Sequence, residues 1–113
     1  MQIDEKANGS VTVLKLKGDL KLGDGQALLK DKVNSLLHQG RKNLLVDLSG
    51  VTYIDSSGIG ELASAYTSVA KAGGTIKLLN LTKRVKDLLA ITKLLTVFDS
   101  YEVEQDALRS FPA

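Results

Sequence analysis

The stretch Leu44–Gly60, LLVDLSGVTYIDSSGIG, decides the fold of this chain. Its first five residues, Leu44–Leu48, form an almost continuous apolar run, which is typical of a strand that is covered on both faces. Its last residues, Asp55–Gly60, combine Asp and Ser, which are favoured at helix N-termini, with two glycines. A loop therefore leads from a buried strand into a helix, which we predict over Ser57–Ala72.

Strands and helices alternate on both sides of this unit. Before it, two strands over Ile3–Lys17 join at the Asn8-Gly9 turn, and a helix over Asp24–Gly40 follows. After it, Gly73-Gly74 stops the second helix. We then expect a strand over Thr75–Leu81 and a helix that starts at Thr82. A short edge strand within Leu94–Phe98 and a last helix over Glu104–Phe111 should follow. This order predicts one α/β domain over residues 1–113, a mixed four- to five-stranded sheet with three to four helices packed on it.

The same patterns predict local details. A type I′ turn needs positive φ at both central residues, which favours Asn8 and Gly9 there. The second strand should end at Gly18 and lie inside the sheet, because both of its faces carry apolar residues. Asp24 is the expected cap of the first helix, and Gly40 its end. In the second helix we expect an inner face of Ile59, Leu62, Ala63, Tyr66, Val69 and Ala70 and a small outer face of Ser64, Ala65, Ser68 and Lys71.

Composition excludes several classes of protein. The chain has no Cys and one His, His38, which excludes thiolate zinc sites, cysteine nucleophiles and a histidine-rich metal site. It has 15 Lys and Arg against 13 Asp and Glu, with 4% aromatic residues, which indicates no nucleic-acid partner. No apolar run reaches membrane-spanning length, and the first residues lack a signal-peptide layout, so we expect a cytoplasmic protein with no membrane span.

The sequence offers little catalytic machinery. Neither Ser56 nor Ser57 stands in a G-x-S-x-G motif, and Gly58-Ile59-Gly60 is half of a dinucleotide-binding fingerprint. Asp47 and Asp55 lack a third clustered acid for a divalent ion. We therefore expect no enzyme activity, no metal and no cofactor. The segment Asp55–Gly60 could be no more than a capped helix start. Its two glycines argue against this interpretation, because each glycine inside a helix costs about 1 kcal/mol of stability relative to Ala.

The segment Leu48–Gly60 resembles the signature of STAS domains, and more narrowly that of bacterial anti-sigma factor antagonists. The likeness continues in Gly18–Leu20, in Gly73-Gly74 and in Leu88–Thr92, and it covers nearly the whole chain. The resemblance implies that Ser56 is phosphorylated by a partner that is both an anti-sigma factor and a serine kinase. The unphosphorylated form then binds this kinase and frees a sigma factor, and a serine phosphatase of the PPM type reverses the modification.

The resemblance also implies a surface for the partner. This surface comprises the loop Gly18–Asp24, the turn Val51–Gly60 and the outer face of the second helix, with Leu28 and Val51 as candidate exposed apolar contacts. The partner-binding residues that we expect are Asp19, Lys21, Asp55, Ser57, Gly58 and Gly60. We expect the protein itself to be a monomer or a weak dimer.

Two positions depart from the family pattern. Many antagonists have an acidic residue where this chain has Lys21, and many have glycine where it has Lys93. The first departure bears on the identity of the partner or on the efficiency of phosphorylation, and the second on a local turn. The alternative function is a STAS subunit or scaffold of a lipid-transport or stress-signalling complex that has no phosphorylation cycle.

Overall fold

The computed structural model describes residues 1–112, which form one five-stranded sheet and four helices. The elements are, in chain order, β1 (Gln2–Asn8), β2 (Val11–Leu20), α1 (Asp24–His38), β3 (Asn43–Ile54), α2 (Ser56–Lys71), β4 (Thr75–Leu79), α3 (Lys83–Ile91), β5 (Ser100–Tyr101) and α4 (Glu104–Arg109). The strands lie in the order β1-β2-β3-β4-β5, with β1 antiparallel to β2 and the other neighbours parallel. The predicted α/β class and mixed sheet are confirmed.

Two apolar clusters lie on opposite faces of this sheet. The larger one packs Leu14 of β2 and Leu44 of β3 against α1, α2 and α3, where Leu62 is fully buried. The smaller one joins Val13 of β2 and Leu45 of β3 to α4. Both central strands therefore bury side chains on both faces, which is why their sequences are apolar without strict alternation.

The second half of β3 positions the start of α2. It extends beyond the predicted strand because it pairs with the end of β2, where Gly18 lies opposite Val51 and Leu20 opposite Ile54. The prediction that β2 ends at Gly18 is therefore wrong. Gly18 lies within the strand at φ 103°, beside a shift in register, and this backbone conformation favours glycine.

The hairpin turn lies one residue later than predicted. Asn8 pairs with Val11, so Gly9 and Ser10 are the central residues, and only Gly9 has a positive φ, of 60°. Glycine at the first central position is the requirement of a type II′ turn, so the predicted type I′ turn is wrong.

The ends of α1 follow the prediction only in part. Gly23 is the N-cap residue and no side chain caps this helix, so the predicted capping by Asp24 is wrong. Asp24 is instead the first helical residue, where its negative charge interacts favourably with the helix dipole. Gly40 follows the C-cap Gln39 at φ 80°, as its predicted role at the helix end requires.

The last strand, β5, is Ser100–Tyr101 and does not fall within Leu94–Phe98, where we predicted it. In that segment Phe98 serves the core and Leu94 packs against it, whereas Leu95 and Val97 are exposed. Phe98 is buried, and its ring meets the ring of Tyr66 edge-on, with the centroids 5.4 Å apart. Over so short a segment, the apolar pattern of a partly buried turn cannot be distinguished from that of a strand, so the prediction of a strand there is wrong.

Lys93 follows the C-cap of α3 at φ 62°, in the left-handed region that favours glycine. We expect Lys93→Gly to raise the free energy of unfolding by about 0.5–1 kcal/mol, because it relieves this strain. The matched control Lys86→Gly, inside the same helix, should lower it by about 1 kcal/mol. Urea unfolding followed by circular dichroism measures both, and equal destabilisation by the two changes would contradict this assignment.

Candidate functional site

Asp55 caps α2 and ties it to the loop after β2. Its backbone is extended, and its Oδ1 atom accepts a hydrogen bond from the Gly58 amide at 2.9 Å. Its Oδ2 atom accepts one from the Leu22 amide at 3.4 Å. The prediction of a capped helix start is confirmed, and one carboxylate joins two segments that lie 33 residues apart in the chain.

Ser56 is the first residue of α2, which begins one residue earlier than predicted. Ser56 is exposed and Ser57 is half-buried. A helix N-terminus carries a partial positive charge from its unpaired amides. The Ser56 hydroxyl therefore stands at the surface beside a group of donors that favours a negative charge.

The two glycines of this segment have different roles. A Cβ at Gly58 would overlap the carbonyl oxygen of Leu20, because the first turn of α2 packs directly on the end of β2. A Cβ at Gly60 would meet nothing within 4 Å. Gly58 thus permits packing inside the protein, whereas Gly60 leaves an open surface beside Ser56.

Asp19 and Lys21 lie at the same end of the sheet. Asp19 accepts a hydrogen bond from the Thr52 hydroxyl at 3.0 Å, and the Lys21 amine lies 3.7 Å from the other Asp19 oxygen. The Leu20 carbonyl between them accepts from the Asp55 amide at 3.4 Å. A cleft of about 580 Å³ opens beside these residues and is lined by Met1, Gly18, Asp19 and residues 21–25, which lead from the loop into α1. The structure therefore brings the predicted residues of the loop and of the α2 start together.

Apolar side chains near the site differ from the prediction. Val51, a predicted exposed contact, is only 8% exposed because it pairs with Gly18 inside the sheet, so that prediction is wrong. Leu28 is 39% exposed, which confirms the expectation of an exposed side chain. Sequence reasoning missed Leu22, which is 71% exposed. Its signal is an apolar residue in a loop with glycine and charged neighbours, outside any helical or strand periodicity.

The inner face of α2 is rotated from the predicted one. Ala65, which we placed outside, is 2% exposed, whereas Ala70, which we placed inside, is exposed. Tyr66 lies at the margin with 37% exposed. Ile59, Leu62 and Val69 are buried as predicted, and the other buried residues of the helix are Gly58, Glu61 and Ala65. Small side chains fit either face, so periodicity alone could not place the alanines.

Glu61 is a buried carboxylate that sequence reasoning did not single out. It lies on the buried stripe of α2 and is 5% exposed. Burial raises the pKa of this carboxyl, while the positive charge of Lys30 and a hydrogen bond from Gln26, both on α1, oppose the rise. Glu61 therefore lies at the packed contact between the two helices that flank the site.

Other candidate residues stay apart from this site. His38 is exposed in the last turn of α1, where a basic side chain is favoured. Within residues 1–112, no group of three or more His, Cys, Asp or Glu side chains is placed to hold a metal ion. In the same part of the chain, no helix combines the length and the apolar character that crossing a membrane requires.

Comparison with known proteins places this geometry in a family. The family described as "Mlab, STAS domain" matches residues 3–98. The anti-sigma-B factor antagonist of Bacillus subtilis is 31% identical over 99 residues, covering 88% of this chain and 89% of that protein. The chain belongs to the STAS domain family, and within it resembles the anti-sigma factor antagonists, as the sequence predicted.

Two solved structures share the fold at lower identity. An anti-sigma factor antagonist from Mycobacterium paratuberculosis has a TM-score of 0.81 and 22% identity, covering 97% of this chain and 92% of its own. The Bacillus cell fate determinant SpoIIAA, in its phosphorylated form, has a TM-score of 0.75 and 17% identity. That match covers 96% of this chain and 98% of SpoIIAA.

The two glycines give a matched pair of substitutions. Gly58→Ala should lower the free energy of unfolding by about 1–3 kcal/mol, because the new methyl group overlaps backbone that cannot move freely. Gly60→Ala should raise it by about 1 kcal/mol, because the helix gains propensity and nothing is displaced. Urea unfolding measures both changes, and a stable Gly58→Ala variant would contradict the close packing of α2 on β2.

Burial of Glu61 predicts a pH-dependent effect of Glu61→Gln. The native pKa is raised above the unfolded value of about 4.5, so the native state binds its proton more tightly. Wild-type stability must then fall, relative to the variant, as the pH rises through the unfolded and then the native pKa. We expect similar stabilities below about pH 4 and a more stable variant at neutral pH.

Urea unfolding at a series of pH values tests this expectation, with the exposed Glu102→Gln as the control. A Glu61→Gln effect that does not change with pH would contradict it. A neutral-pH loss of stability in the variant would contradict it too, because the carboxylate would then be better paired than its burial implies.

Proposed function

We propose that this chain is an anti-sigma factor antagonist that is switched by phosphorylation of Ser56. The unphosphorylated form binds an anti-sigma factor that is also a serine kinase, and a sigma factor is thereby released. A phosphate on Ser56 ends this binding, and a serine phosphatase of the PPM type restores it. The exposed position of Ser56 at the first residue of α2 is the observation that carries the proposal.

The location of Ser56 suits a modification that leaves the fold intact. A phosphate adds about −1.5 to −2 charges at neutral pH. At a helix N-terminus a negative charge is favoured, by about 0.3–1 kcal/mol for an exposed group. The domain therefore accommodates the phosphate, and the proposed switch acts by bulk and charge against the docked kinase.

The proposed partner surface is formed by residues around Ser56. Asp19 presents a charge from the end of β2 and Lys21 presents one from the loop that follows, where Leu22 adds an exposed apolar side chain. Ser57 and Gly60 belong to the first turns of α2, where Gly60 lets a partner approach the backbone closely. Asp55 and Gly58 support this surface from below through the cap and the close packing on Leu20.

The remaining parts of the proposal rest on the resemblance together with the composition and motifs of the sequence. The antagonist itself catalyses no reaction and uses no cofactor. Residues 1–113 act as one domain in the cytoplasm, as a monomer or a weak dimer. Its partners are proteins, and it binds no nucleic acid.

Labelling by a cognate anti-sigma kinase tests the modified residue. With radioactive ATP, the wild type and Ser57→Ala should incorporate phosphate, whereas Ser56→Ala should incorporate none. Each variant removes one hydroxyl group at the start of α2, exposed in Ser56 and half-buried in Ser57. We therefore expect similar effects on folding, so that a difference in labelling reports the modified residue. Labelling of Ser56→Ala would refute the assignment of the site. No labelling of the wild type by any anti-sigma kinase encoded beside it would favour a STAS subunit without a phosphorylation cycle.

A bulky residue at Gly60 tests the partner surface. Gly60→Trp projects into open space, so we expect a folded protein that no longer binds the kinase. Gly60→Ala is the control, because a single methyl group should leave binding within about threefold of the wild type. Isothermal titration calorimetry measures both affinities. Tight binding by folded Gly60→Trp would exclude this face as the docking surface.

A further inference from the structure

The face of the sheet opposite α1, α2 and α3 carries a cleft that the proposed switch does not use. Its volume is about 250 Å³, and it lies between β1 and the start of α4. Its lining is mostly charged and comprises Asp4, Glu5, Lys6, Val13, Lys15, Asp47 and Glu104. Among the charged residues of this lining Asp47 differs from the rest because it is buried, with 7% of the residue exposed.

Among residues 1–112, hydrogen bonds reach one oxygen of the Asp47 carboxylate. Its Oδ1 atom accepts hydrogen bonds from the Ser49 amide at 2.9 Å and from the Asn80 side chain at 3.4 Å. Within residues 1–112, Asp47 forms no ion pair with a basic side chain. A buried carboxylate without a cation is unfavourable, so Oδ2 offers a place for a positively charged donor.

Lys15 is the lysine that lies next to Asp47 in the sheet. Backbone register places Asp4, Lys15 and Asp47 side by side across β1, β2 and β3. The pKa of Asp4 is lowered, chiefly by a hydrogen bond from Lys17 and to a smaller extent by the charge of Lys15. Within the described residues Lys15 forms no ion pair with either carboxylate, and its charge acts on Asp4 as well as on its neighbour Asp47.

Lys6, the other lysine of the cleft, is engaged in an ion pair. The amine of Lys6 lies 3.8 Å from the Glu104 carboxylate, across the opening between β1 and α4. Val13 adds an apolar surface next to the charged groups, and it is 5% exposed. The cleft thus offers one unneutralised carboxylate and a short apolar wall.

We propose that this cleft binds a primary alkylammonium group, whose nitrogen donates to the free oxygen of Asp47 and whose alkyl chain lies against Val13. A compact cation on an unbranched stem matches both features of the cleft. Two sources present this group, a free aliphatic diamine and the side chain of a lysine residue. The site is separate from Ser56, and its occupation does not require the phosphorylation cycle.

Nuclear magnetic resonance titration with 1,4-diaminobutane at constant ionic strength tests the site. Saturable shifts should appear at the amides of Val13, Lys15 and Asp47. Asp47→Asn keeps an acceptor for Ser49 and Asn80 and removes the charge, so it should bind about tenfold more weakly or not at all. Asp31→Asn, an exposed change on α1, should bind as the wild type does.

A second variant should change the affinity in the opposite direction. Lys15→Gln removes a positive charge beside Asp47 that repels the ammonium group of the ligand. Binding of the amine should therefore tighten by about threefold. This variant keeps the proposal testable where Asp47→Asn fails to fold. Nα-acetyl-lysine methylamide in a parallel titration identifies the source, since a site for lysine side chains binds it at least as tightly as the diamine.

Three results would overturn the proposal. These are shifts that follow ionic strength without saturating, equal affinities of the wild type and Asp47→Asn, and weaker binding by Lys15→Gln. Saturable binding of either amine that is lost in Asp47→Asn and strengthened in Lys15→Gln supports it.

Discussion

The paired hydrogen bonds of the Asp55 carboxylate are the constraint on which the site depends. One oxygen holds the first turn of α2 through Gly58, and the other holds the loop after β2 through Leu22. Neither segment forms this end of the molecule alone, because the loop lacks regular structure and the helix needs a cap. The carboxylate thus fixes the place of Ser56 relative to Asp19 and Lys21.

The sheet prepares the position that this carboxylate occupies. β2 and β3 continue past the rest of the sheet as a parallel pair, and the irregular register at Gly18 lets β2 follow β3 as far as Ile54. The chain then turns into α2 over a contact that only glycine permits, between Gly58 and the Leu20 carbonyl. The glycine that appears unfavourable for helix stability is therefore required by packing. Gly60, by contrast, has no such requirement and leaves open surface.

The sequence predicted the elements with strong periodic or capping signals and missed those defined by tertiary pairing. The buried strand at Leu44–Leu48 and the capped start of α2 follow from local chemistry, whereas the glycine-like turn at Lys93 was indicated only by the family pattern. The extension of β3 to Ile54 does not, because it arises from pairing with residues more than 30 positions away. The burial of Glu61 was missed for a similar reason, since a charged residue inside a helix is usually solvated. The site residues were grouped by family resemblance, and the structure brings Asp19, Lys21 and Asp55 together at one end of the sheet.

The central claim is that Ser56 changes the surface and not the fold. The most direct measurement compares amide nuclear magnetic resonance spectra of the protein before and after stoichiometric phosphorylation of Ser56. The account predicts shifted signals in the loop after β2 and in the first turns of α2, with the signals of β4 and α4 unchanged. Loss of signal dispersion, or shifts spread over the whole sheet, would contradict it, because the phosphate would then act by unfolding the domain.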